Sequence, residues 1–379
     1  MFHLRLITRY LFTLALITAW FSSVAQNEVK EFKPSGKVWG LAFTDIYWKA
    51  SGDTATWASR AEYSGVPEDV YAFAIRRMYL GYDYNISPAF STTALIEGGD
   101  PFLTTRGERT FTIKALNVRW KGIYKNADLL FGQIPTLAFS YIAEKAWGYR
   151  SVEKTITDQR GIRSSSDMGI ALLGSFDTLN TFGYNLMIGN GTATRPEELT
   201  KAGKHKIYSA DVYAYLFDRK IILDLYADYQ TGISERTQFT VKGFLGYQTS
   251  ALTIGAELLS HRQHNIKSDG ADISPFGFSV FVRGTMIPGK LFAFARYDQY
   301  DPDNDYKDQD ALTTYNFSNM HRHYEESFFV AGIDIAPHKN VHIIPNIWVN
   351  TYSPKLDNAI LVERKSDIVP RITVFFSYR

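Results

Sequence analysis

The stretch KIILDLYADYQ, residues 220–230, changes character at every step. Ile221, Leu223, Leu225, Ala227 and Tyr229 take one face; Ile222, Asp224, Tyr226 and Asp228 take the other. A period of two is the signature of a β-strand. An apolar face opposite one that carries aspartates suits either a soluble sandwich or the wall of a membrane barrel. The rest of the chain separates the two.

The same alternation returns in DVYAYLF (211–217), ALTIGAELLS (251–260), FGFSVFVRGTM (276–286), KLFAFARYD (290–298) and FFVAGIDIA (328–336). Reading it from end to end gives strands at 37–49, 70–86, 89–97, 109–122, 126–133, 167–175, 180–189, 206–217, 220–230, 237–247, 250–261, 276–286, 290–299, 324–335, 339–352 and 367–378. Even-numbered strands are followed by tight turns such as Ser87-Pro88, Asp218-Arg219 and Pro337-His338. Odd-numbered strands are mostly followed by longer polar segments, the longest being 50–69, 134–166, 190–205 and 300–323. Alternating short and long connectors are what an up-and-down barrel with a periplasmic and an extracellular rim requires. A Greek-key sandwich gives no reason for them. The expected fold is therefore all-β, a transmembrane antiparallel barrel of about sixteen strands.

Composition agrees. Aromatic residues make up 15% of the chain beside 21% charged residues. Membrane barrels combine the two, with aromatic girdles outside and a polar lumen inside. Residues 1–25 read as a secretory signal: Arg5 and Arg9, then the apolar core YLFTLALITAWF, then small residues at Ser23 and Ala25. Residues 26–36 are expected to form a short periplasmic tail, with the barrel occupying 37–379. The formal charge is +2, and removing Arg5 and Arg9 brings it to zero, so no basic excess points to nucleic acid. The chain holds no cysteine and so forms no disulfide.

The chain ends on DIVPRITVFFSYR, residues 367–379. Ile368, Ile372, Val374, Phe376 and Tyr378 are expected to face lipid, with Arg371 and Thr373 in the lumen. Every backbone group must be bonded within the membrane, so this strand should pair with the first to close the ring. Pro370 lacks an N–H and should sit near the extracellular end of the strand.

Several stretches together resemble the phosphate-selective porin family of outer-membrane proteins, of the Bacteroidetes type: AIRRMYLGYDYNISPAFSTTALIEG (74–98), FGQIPTLAFSYIAEKAWGYRSVEK (131–154), SDMGIALLGSF (166–176), YNLMIGNGT (184–192) and FARYDQYDPDND (294–305). The resemblance implies a sixteen-stranded, trimeric, passive channel in the bacterial outer membrane. It also implies a long third loop folded into the lumen and basic side chains that favour anions such as phosphate. This chain lacks the dense arginine and lysine ladder of that family's phosphate-selective members and carries a mixed lumen instead.

Alternation assigns Arg77, Arg119, Lys121, Lys242, Arg283, Arg296 and Arg371 to the lumen, with Asp211, Asp224, Asp228, Glu257 and Asp334 as an acidic counterpart. A charge facing mid-bilayer lipid would cost about 2–4 kcal/mol, which favours the inward assignment. Segment 134–166 carries Lys145, Arg150, Lys154, Arg160 and Arg163 against Glu144, Glu153 and Asp158, a net +2. Lys145, Arg150 and Lys154 are the expected constriction residues, with Arg77, Arg119, Arg283 and Arg296 on the wall. A ring of cationic donors replaces part of an anion's hydration shell. Asp211, Asp224, Asp228 and Glu257 are the alternative, cation-favouring wall.

Other motifs carry less. YDPDNDYKDQD (300–310) begins like a calcium loop but has Tyr306 where glycine is needed and Leu312 where a glutamate belongs. His261 and His264, with His321 and His323, would form a metal site only if two loops met. His342 has no serine committed to it, so no hydrolytic pair is expected and the chain is read as a channel, not an enzyme. The expected function is passive diffusion of small hydrophilic solutes, without cofactor or metal, in contact with outer-membrane lipid. A non-selective or sugar-permeable channel, and a surface barrel whose loops bind a partner, are the alternatives.

Overall fold

The computed structural model describes residues 32–54, 62–196, 204–266, 272–307, 322–355 and 364–378. The expected leader at 1–25, His321 and residues 308–310 of the acidic loop lie outside them. The strands are β1 (Ser35–Trp48), β2 (Tyr71–Asn85), β3 (Phe90–Leu103), β4 (Arg109–Tyr124), β5 (Ala127–Pro135), β6 (Ser166–Ser175), β7 (Phe182–Gly189) and β8 (Ile207–Leu216). The second half comprises β9 (Ile221–Thr231), β10 (Thr237–Gln248), β11 (Leu252–His264), β12 (Phe276–Ile287), β13 (Leu291–Asp301), β14 (Tyr324–His338), β15 (Val341–Pro354) and β16 (Asp367–Tyr378). Each pairs with its sequence neighbour, and the sheet is a closed barrel in strict chain order.

Closure is made by β1 against β16, antiparallel from Gly40↔Tyr378 to Tyr47↔Arg371. Pro370 lies one residue past the end of that ladder, so its missing N–H removes no bond from it. On β16 the side chains of Asp367, Val369, Arg371 and Thr373 are buried, while Ile372, Phe376 and Tyr378 are exposed. The outside of the barrel repeats this pattern, with Leu223 and Leu225 on β9, Leu245 on β10, Ile254 and Leu258 on β11 and Val280 on β12 all exposed. An apolar exterior and a charged, buried interior invert a soluble core; this is a transmembrane barrel.

Two features depart from the simple alternation. The third strand runs on to Leu103, six residues beyond the expected end, so β3 and β4 form a long hairpin closed by a turn in which Thr104 and Glu108 are hydrogen-bonded. Register also shifts between β3 and β4: Leu95 pairs with Ala115 and Ile96 with Ile113, leaving Lys114 as the extra residue of a bulge. A bulge reverses the phase of alternation beyond it, and Lys114 is thereby turned inward.

Two short helices, which periodicity gave no means of seeing, lie in the 136–165 connection: α1 (Ala143–Trp147) and α2 (Ile156–Gln159). Gly148 stops α1 with φ 71°, its N–H bonded to the carbonyl of Glu144 at 2.9 Å. That left-handed conformation favours glycine, and an added Cβ would press on the Arg283 guanidinium at 3.3 Å.

Candidate functional site: a lumen crossed by the third long loop

Segment 136–165 folds into the lumen because it is amphipathic toward the wall. Leu137, Phe139, Ile142, Trp147 and Val152 are buried in one cluster with wall residues that include Leu130, Tyr226, Phe294 and Trp348. Trp147 is the centre of this packing. Its ring meets Phe281 at 5.2 Å and Phe294 at 5.9 Å, both edge-on, and its Nε1 donates to the Glu153 carbonyl at 2.8 Å. Each large side chain buried this way contributes about 1.5–3 kcal/mol, which is why a polar-looking loop stays inside a wet barrel.

Wall side chains then fix the loop's main chain. Arg283 Nε donates to the Ala146 carbonyl at 2.8 Å. Arg76 Nη1 donates to the carbonyls of Ser151 at 2.7 Å and Val152 at 2.9 Å. Arg371 Nη2 donates to the Val152 carbonyl at 2.5 Å, and Arg296 Nη1 to that of Lys154. Carboxylates hold the loop's own cations. Arg163 Nε donates to Asp228 at 2.7 Å, and Arg160 pairs with Glu326 and reaches Asn350 at 3.2 Å. Trp348 Nε1 donates to Glu153 Oε2 at 2.9 Å. Arginines β-strands apart thus converge on one peptide segment.

Part of the first connection, at Glu62 and Tyr63, also turns inward. Tyr63 is buried, its hydroxyl on Asp45 at 2.5 Å and its ring edge-on to Trp348 at 5.4 Å. Beside it, Glu62 pairs with Arg76. Burial pushes the Glu62 carboxyl up, but the charge and hydrogen bond of Arg76 outweigh it and bring the pKa down to about 2.

Cavities lie on both sides of the loop. One, of about 640 Å³, lies toward the short-turn rim among β1–β4, β14–β16 and the loop, and is lined by Lys114, Lys145, Arg150, Glu144, Asp334 and several aromatics. The other, of about 570 Å³, lies toward the long-loop rim beside β7–β10 and is lined by Arg163, Arg195 and Asp167 among others. Lining cations outnumber lining carboxylates by three to two in the first and two to one in the second.

The residues expected at the constriction separate into groups. Lys145 and Arg150 line the first cavity. Lys145 is exposed there, over the Tyr141 ring at 5.7 Å. Arg150 is paired with Glu144 and with Asp158 at 2.9 Å. Lys154, Arg77, Arg119, Arg283 and Arg296 line neither cavity. Arg77 is held by Glu97 at 3.0 Å and Arg119 by Asp128 at 2.7 Å near the β4–β5 turn. Arg283 and Arg296 are occupied by the loop, and Arg296 by Asp298 as well.

The acidic wall is buried and lines neither cavity. Asp224 pairs with Lys242 at 2.8 Å, Asp228 with Arg163, and Glu257 accepts the Thr157 hydroxyl at 2.6 Å; Asp211 is buried on neighbouring β8. Alternation missed Lys114, Arg76 and Arg195. The bulge hides the first, Arg76 lies just before the regular β2–β3 ladder begins at Met78, and Arg195 sits in a connection.

Among the described residues the histidines do not converge. His261 bonds Thr240 at 3.0 Å, His264 bonds Asp272 at 2.7 Å, and His323 meets Tyr306. Among the described residues no three His, Cys, Asp or Glu side chains are grouped to hold a metal. His342 pairs with Asp334 at 2.8 Å.

No family model matches the chain, and no curated protein matches it. Solved structures do. The outer membrane channel DcaP of Acinetobacter baumannii aligns with a TM-score of 0.63 and 12% identity, covering 93% of this chain and 100% of that one. The anion-selective porin from Comamonas acidovorans aligns at 0.60 and 11%, covering 91% and 100%. The trimer form of OmpT from Vibrio cholerae aligns at 0.56 and 9%, covering 92% and 100%. At such identities the likeness is one of fold alone.

Proposed function

We propose that this barrel is a bacterial outer-membrane porin, giving passive diffusion of small hydrophilic solutes with a preference for anions. The carrying observation is the sorting of charge. Lining cations exceed lining carboxylates in the cavities flanking the inward loop, whereas Asp224 and Glu257 are buried and engaged away from them, and Asp228 is buried against Arg163 behind the second cavity's wall. A passing anion would meet Lys145 and Arg150 toward one rim and Arg163 and Arg195 toward the other, with Lys154, Arg77 and Arg119 adding to the field from further away. Arg283 and Arg296 would serve this path indirectly, by holding the loop.

Export by the leader at 1–25 and assembly as a homotrimer complete the reading. The porin resemblance and the trimer form of a fold neighbour support it. Membership of the phosphate-selective family, and phosphate itself as a permeant ion, belong to the same proposal. Chloride and phosphate currents through the purified barrel in a planar bilayer test it.

A second reading has an observation of its own. Trp147, Phe139 and Tyr63 are buried inside the barrel in one apolar cluster. A barrel with an apolar cluster inside it could serve to present its long loops to a partner, and absence of any current through folded protein would favour it.

A further inference from the structure

The larger cavity, which the proposed anion path crosses, has more than an inorganic ion needs in its lining, and its composition points to a particular guest. Its volume, about 640 Å³, falls within the range of small-molecule sites. Its wall is largely aromatic: Trp39, Phe43, Tyr79, Tyr141, Tyr149 and Phe375 all line it. A hydrated inorganic ion gains nothing from such a wall and loses hydration against it. An apolar or aromatic body gains from it.

The charge at the site is equally specific. Of its three lining cations, Lys114 is paired with Glu97 at 2.9 Å and Arg150 with Glu144 and Asp158. Lys145 has no carboxylate within the 4.0 Å of an ion pair among the described residues. Of the two lining carboxylates, Glu144 is taken by Arg150, while Asp334 is held by His342 at 2.8 Å and the Tyr149 hydroxyl at 3.2 Å. Lys145 is thus the lining cation that no carboxylate engages, and both lining carboxylates are already held. One unmatched ammonium beside an aromatic wall is complementary to a monoanion with a ring, not to a phosphate dianion, which needs several donors at once.

We infer that the cavity is a binding subsite for arylcarboxylates, with the ring against Tyr141, Tyr149 and Phe375 and the carboxylate on Lys145 Nζ. This names a substrate class for the proposed channel and rests on that reading for its transport role, though not for the binding itself. The site lies toward the short-turn rim, so it would act as a last holding point for a solute that has passed the loop.

The test uses the full-length barrel folded in detergent and then in a planar bilayer, with phenylacetate, acetate, benzyl alcohol and inorganic phosphate as probes. Trp39 in the wall provides a fluorescence readout. Phenylacetate is expected to bind with an affinity on the order of millimolar. Acetate (no ring), benzyl alcohol (no charge) and phosphate should each be weaker by about tenfold or more. Lys145→Gln should weaken phenylacetate about tenfold and leave benzyl alcohol unchanged, and Lys145→Arg should restore the difference. Phosphate or acetate binding as tightly as phenylacetate would overturn the assignment. So would equal phenylacetate affinity in Lys145→Gln, or no binding by any probe. In the bilayer, phenylacetate should lower the chloride current. If the folded barrel passes no current at all, the conduction reading fails while the titration in detergent still decides the subsite.

Discussion

Arg283 on β12 donates Nε to the main-chain carbonyl of Ala146 across the lumen, at 2.8 Å. A guanidinium that would otherwise face the water path is instead a strut for the loop that narrows it. The same holds for Arg296 toward Lys154 and Arg371 toward Val152. Neutralising such residues should therefore act through loop order before it acts on charge selection.

Arg283→Ala together with Arg296→Ala removes two anchors of the loop. Each lost charged hydrogen bond is worth about 1.5–3 kcal/mol. The expected result is a larger and noisier single-channel conductance, with ion selectivity changed little. Single-channel recording checks this. A strong swing toward cations at unchanged conductance would show that the two arginines act as filter charges.

Lys145 and Asp224 make the opposite comparison. Lys145 is exposed to a cavity, whereas Asp224 is buried against Lys242. Lys145→Glu should move the reversal potential measurably toward the cation side. Asp224→Asn should leave it near the wild-type value and lower barrel stability instead.

Asp228→Ala tests the loop's attachment to the far wall. Arg163 and Asp228 are both buried, and removing the carboxylate leaves a guanidinium without its counter-charge. Breaking such a pair costs about 3–5 kcal/mol. Thermal or denaturant unfolding of the barrel should fall accordingly, and Asp228→Asn should fall less. An unchanged unfolding midpoint would mean that this end of the loop is not held as described.

Glu62 sets an acid limit on the first connection. Its carboxyl is brought from 4.5 down to about 2 by Arg76 against the opposing effect of burial. A lowered folded pKa gives stabilisation that is complete above the ordinary value and is lost as pH falls through the lower one. Conductance should be flat from pH 7 to about 5 and change only as pH falls toward 2. In Glu62→Gln the acid step should disappear. A step near pH 6 would contradict the assignment.

Much of the barrel was legible in the sequence because lipid on one side and water on the other impose a period of two on every strand. The last strand shows it best, since DIVPRITVFFSYR already separates Arg371 and Thr373 from Ile372 and Phe376. The length and mixed character of 134–166 likewise foretold a special loop. What could not be read were features that break the period or need the third dimension. The bulge at Lys114 reverses a phase that alternation carries straight through. The pairing of Arg163 with Asp228 joins residues on separate elements, and spacing gives no hint of it. Nor does residue type distinguish Lys145, which meets a cavity, from Arg296, which meets a backbone carbonyl.

The most direct test of the central claim is the reversal potential of the purified, folded protein in a planar bilayer under a potassium chloride gradient. Cationic cavities around an inward loop predict a potential displaced toward that of chloride, reduced by Lys145→Glu. A displacement toward potassium would contradict the sorting of charge described here and make the buried acidic wall of Asp224 and Asp228 the selecting element.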